Sequence, residues 1–125
     1  MVRLSHKQFE DAVERALARV PEEFLERLDN AAITVEEEPS AEILRDLDVP
    51  DGETLLGAYF GTPVSERSVF NLPVGPDRIA IYRGPLMEMC ETVEELIEEI
   101  EITVVHEIAH HFGIDEDTLA EYGYE

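Results

Sequence analysis

The sequence predicts one α+β domain spanning residues 1–125. Three observations support this. Apolar residues recur at helical spacing over residues 5–20. Short apolar runs carrying β-branched or aromatic residues, at 31–36, 54–60 and 78–83, are bounded by turn residues. A capped, apolar-striped helix starts after Thr92 and runs to Gly113, near the end of the chain. A chain of 125 residues is long enough to bury one real core and too short for a second.

In chain order, Ser5 is a helix cap, and Phe9, Ala12, Val13, Ala16, Leu17 and Val20 line one face of the helix it opens. Pro21, with Glu22 and Glu23 behind it, restarts a short second helix, because proline suits the first helical position and acids suit the first turn. Ala31 to Glu36 reads as a strand that stops at Glu36-Glu37-Glu38-Pro39, a solvated end. Ser40 caps a short helix that ends before the turn signature Val49-Pro50-Asp51-Gly52. The run 54–60 is the second strand, and Gly57 and Gly61 place it at a sheet edge. Residues 62–76 are the longest aperiodic stretch, with a further short strand around Val69 as the fourth candidate. Arg78 to Arg83 is the clearest strand, followed by Gly84-Pro85 and a turn of helix through Cys90. In the long helix, Thr92 is expected to accept from the Glu95 amide while Glu95 reaches back. Val93, Leu96, Ile97, Ile100, Val104 and Ile108 form its core stripe.

Composition narrows the function classes. A formal charge of -21 repels phosphate backbones and anionic lipid heads, so neither nucleic acid nor a membrane is an expected partner. The lone Cys90 has no partner within the chain and sits among Leu86, Met87 and Met89, as a small buried hydrophobe would. The first residues lack the apolar run of a signal peptide, which points to the cytoplasm.

The run His106-Glu107-Ile108-Ala109-His110-His111-Phe112-Gly113-Ile114-Asp115-Glu116 carries the chemistry. On a helix, His106 and His110 stand one turn apart on one face, so both imidazoles can reach one zinc ion. Glu107 lies beside them, where a general base for a metal-activated water would stand. Gly113 can take a positive φ, which lets the chain turn and bring back a third ligand. That ligand is Glu116, with Asp115 next to it as the rival. Two imidazoles and one carboxylate leave a fourth position open, the arrangement of a catalytic zinc site. The plainer reading is a core helix with hydrogen-bonded histidines, Gly113 a C-cap and Glu116 an acid in the first turn of a last helix. His111 points about 100° away from His110 and is read as a surface or supporting residue. Tyr122 and Tyr124 are read as packing residues, with oxyanion stabilisation as their alternative role.

At these residues the chain resembles the metzincin-type signature. In its short length and acidity it resembles the small bacterial zincin-like metallopeptidase family, a minimal matrix-metalloprotease-like fold. The resemblance implies a zincin-like α+β fold, with a small mixed sheet of three to four strands packed on helices and a long metal-binding helix near the C-terminus. It implies a zinc-dependent metallopeptidase acting on peptide or protein substrates. The zinc ligands would be His106, His110 and Glu116, and Glu107 would be catalytic. In that family the position of Glu116 is usually Asp. The methionine turn of the larger metzincins is missing, because all three methionines precede His106. Two other readings are carried forward: a zincin-fold module that binds peptide with little or no turnover, and a metal-free acidic interaction domain.

Overall fold

A computed structural model describes residues 1–28, 31–61 and 77–124. The expected irregular stretch 62–76, including the Val69 candidate strand, lies outside the described residues.

The first helix, α1 (His6–Arg19), opens with a full capping box. The Ser5 hydroxyl accepts from the Gln8 amide at 3.1 Å, and the Gln8 side chain accepts from the Ser5 amide at 2.9 Å. Its apolar side buries Phe9, Ala12, Val13 and Ala16. A short α2 (Glu22–Leu25) follows Pro21 and tightens into a 3₁₀ turn over Glu26–Leu28. Strand β1 (Ala31–Glu36) has the bounds that its β-branched run predicts. Glu36 itself is not a solvated end. It lies half-buried in the strand, accepts from the Thr34 hydroxyl at 2.9 Å and stands 3.7 Å from Arg78 Nε. Next come α3 (Ala41–Asp46), capped by Ser40, and β2 (Gly57–Phe60).

Strand β2 is shorter than its apolar run. Residues 54–56 stay outside it, although the Leu56 carbonyl already accepts from the Tyr82 amide at 2.9 Å. Strand β3 (Asp77–Tyr82) passes directly into α4 (Arg83–Met89), so Gly84 and Pro85 form the first turn of that helix rather than a separate loop.

The three strands form a mixed sheet in the order β1-β3-β2, with β1 parallel and β2 antiparallel to β3. Among the described residues β2 is an edge strand, as its glycines predict. The long helix α5 (Val93–Phe112) packs against both α1 and β2. Thr92 caps it by accepting from the Glu95 amide at 3.1 Å. The Glu95 carboxylate reaches back one residue further than expected and accepts from the Glu91 amide at 3.3 Å. One apolar core runs from Val2 through Phe9, Ile79, Ile81 and Leu86 to Ile100, Val104, Ile108 and Leu119.

Gly57 positions α5 against the sheet. A Cβ atom there would lie 2.7 Å from Thr103 Cγ2 and 3.0 Å from the Ala80 carbonyl oxygen. Strand and helix therefore approach more closely than any side chain at this position allows. Sequence reading takes this glycine as a sign of a weak strand, whereas in the fold it is a contact point.

Candidate metal centre

Helix α5 carries most of the candidate site. Thr103, Glu107 and His111 follow one another at one-turn spacing along the side of α5 that meets β2. Thr103 is buried beneath Gly57. His111 stacks on Tyr59 of β2, with ring centroids 3.8 Å apart and planes 13° from parallel, and the Tyr59 hydroxyl donates to Asp77 Oδ2 at 2.9 Å. His111 is thus a supporting residue at the end of the helix. Between them, Glu107 is half-buried. Desolvation raises its carboxyl above the ordinary carboxylate range, partly offset by the neighbouring His110. A carboxylate that is poorly hydrated and next to an imidazole is a competent proton acceptor.

His106, half-buried, and His110, exposed, stand one turn apart on α5. Gly113, at φ 69°, ends the helix in the left-handed conformation, and the Gly113 and Ile114 amides both return to the Ala109 carbonyl. The last helix, α6 (Glu116–Glu121), begins two residues after Ile114. The two rival carboxylates have different situations. Asp115 caps α6 by accepting from the Thr118 amide at 2.8 Å, and this bond depresses its pKa. Glu116 is exposed in the first turn of the same helix, where its carboxylate caps nothing.

The donor types suit zinc: two imidazoles on one helix face, with carboxylates close behind in the chain. The arrangement is incomplete as a site. Among the described residues, no three His, Cys, Asp or Glu side chains are gathered to hold an ion, and Nε2 of His106 faces the carbonyl oxygen of Tyr124 at 3.4 Å.

Two features have no local sequence signal. Tyr82 is fully buried. Its hydroxyl has no hydrogen-bond partner among the described residues, and burial raises its pKa, followed by the charges of Glu36 and, more weakly, Glu107. Tyr124, read from sequence as a packing residue, is indeed buried, but its hydroxyl donates to Glu101, which also pairs with Arg19 at 2.9 Å. Both depend on contacts between distant parts of the chain. Cys90 is 1% exposed, and burial raises its thiol pKa, as expected of a small core hydrophobe.

The Asp115 cap has a testable pH signature. A carboxylate whose folded pKa is depressed contributes stability in full above its unfolded value of about 3.9 and loses it as pH falls through the lower folded value. Asp115→Asn keeps a capping side chain but cannot titrate. Melting temperatures of the two proteins should therefore converge as pH drops below about 4. Curves that stay parallel well below that pH would show that the cap is not ionic.

A family model for zincin-like metallopeptidases matches residues 28–124, well over half of the chain, and the protein belongs to that family. Among solved structures it is similar to a conserved hypothetical protein from Thermus thermophilus. The identity is 27% and the TM-score 0.57, with 94% of this chain and 99% of the other covered. No curated protein matches the chain.

Proposed function

We propose that the protein is a zinc-dependent metallopeptidase, with His106, His110 and Glu116 as ligands and Glu107 as general base. The observation that carries this reading is the position of Glu107: half-buried and desolvated, beside His110, on a helix held against an edge strand, in a chain of the zincin-like metallopeptidase family. Glu116 is preferred over Asp115 because the Asp115 carboxylate is committed to capping α6. Zinc, when bound, supplies the Lewis acidity that polarises a scissile carbonyl and acidifies water. Glu107 takes the proton of the attacking water and returns it to the leaving amine. An extended peptide aligned along the sheet edge near β2 would present its carbonyl to this face.

The substrate is a peptide or protein. The charge of -21 disfavours nucleic acid and anionic membranes as partners, and no helix among the described residues is long and apolar enough to cross a membrane. A second reading, a zincin-fold module that binds peptide with little turnover, is favoured by one observation: His106 Nε2 faces a main-chain carbonyl, and among the described residues no third donor is gathered beside it.

Zinc titration by calorimetry, with wild type beside His106→Ala, tests the metal. One zinc per chain in wild type and none in the variant is the expected result. Equal binding by both would remove His106 from the site. Tight zinc binding without cleavage of any member of a broad peptide library would favour the binding module.

A further inference from the structure

The turn after α6 places Tyr124 across α5. Gly123, at φ 86°, donates to the Ala120 carbonyl at 3.0 Å, and the Tyr124 amide donates to the Leu119 carbonyl at 2.9 Å. This pair of bonds is the Schellman ending, which fixes the backbone of the residue that follows the glycine. Burial and two further contacts hold Tyr124. Its side chain is buried, its ring meets Phe24 edge-on with centroids 6.2 Å apart, and its hydroxyl donates to Glu101, itself anchored by Arg19. The hydroxyl thus grips α5 at Glu101, while the carbonyl of the same residue reaches His106 Nε2, 3.4 Å away.

A carbonyl oxygen can only accept a hydrogen bond, so the ring nitrogen facing it must carry the proton. An imidazole nitrogen must be unprotonated to bind a metal ion. Nε2 is also the ring nitrogen farther from the backbone, and so the one better able to reach an ion shared with His110. We propose that Tyr124 is a latch on the metal face: its main-chain oxygen holds His106 in the Nε2-H tautomer, and binding of zinc at that nitrogen requires the Gly123-Tyr124 turn to let go. The latch rests on the reading of His106 as a zinc ligand. It accounts for the engaged His106 nitrogen. Metal affinity is then set partly by residues that never touch the ion, namely Arg19, Glu101 and Gly123.

Two variants loosen the latch without touching the site. Tyr124→Phe keeps the ring but removes the grip on Glu101. Gly123→Ala meets no atom within 4 Å yet disfavours the left-handed turn. Nitrogen-15 shifts of the metal-free protein report the His106 tautomer, calorimetry reports zinc affinity, and thermal unfolding confirms that each variant is folded. The expected results are an Nε2-H tautomer in wild type and zinc binding roughly fivefold tighter in both variants, the worth of about one hydrogen bond. A wild-type ring in the Nδ1-H or an averaged tautomer, with zinc still lost in His106→Ala, overturns the latch alone. Folded variants that bind zinc no tighter than wild type, or more weakly, also overturn it. No zinc binding by any of the proteins overturns the metal reading, and the latch with it.

Discussion

Glu107→Ala is expected to lower peptide hydrolysis by about a thousandfold while leaving zinc stoichiometry at the wild-type value, the range that loss of a positioned general base produces. Glu107 shares α5 with both imidazoles but lies on the side of the helix that meets β2, beside the proposed zinc ligands rather than among them. Its removal takes away a carboxylate that burial disfavours, so stability should be preserved. Alanine is also the best helix former, so α5 is not weakened. Steady-state cleavage of a peptide substrate and metal analysis of the same preparation separate the outcomes. Wild-type turnover in the variant would exclude Glu107 as the base, and loss of zinc would make it a ligand instead.

The largest expected effect on stability is at Ile100. This residue is 0% exposed and lies in the α5 stripe that packs in the main core with Phe9, Ala12 and Ala16 of α1. Ile100→Ala removes buried methyl groups and leaves a cavity between two helices that relax only partly, at a cost of about 3 kcal/mol. For a domain of this size the melting temperature should fall by roughly 10 °C. Val93→Ala, on the same helical stripe but 36% exposed, should change stability by less than about 0.5 kcal/mol. Calorimetric melting of both variants checks the pair. Similar losses at the two positions would mean that the core extends to the first turn of α5.

The contrast between Ile100 and Val93 also shows what a sequence can and cannot convey. Periodicity identifies the face of a helix, and it correctly groups Leu96, Ile97, Ile100, Val104 and Ile108, all buried. It cannot tell where along the axis the neighbouring helix stops, and so it includes Val93. The strands behave alike: β1 follows its β-branched run residue for residue, whereas β2 starts at Gly57 because Leu55 and Leu56 are apolar without being paired as strand. In the candidate site, His106, Glu107, His110 and the Gly113 ending are legible because one helix sets their spacing. The Tyr59-His111 stack and the bridge from Tyr124 to Glu101 are not, because they join segments with no fixed relation in sequence. The gathering of a third donor is likewise a matter of how α6 is set against α5, which no local pattern encodes.

At Gly57 the fold leaves no room for a side chain. The gap between β2 and α5 is gauged by a hydrogen atom, since a methyl group there would press on Thr103 and on the Ala80 carbonyl at once. Thr103 lies one turn before Glu107, so the depth at which the Glu107 carboxylate sits below the sheet edge is set by an atom the chain omits. A drift toward alanine at this position would lift the rim away from the helix and leave every residue of the proposed centre in place. The reach of Glu107 toward anything lying along that rim would then be lost by geometry alone.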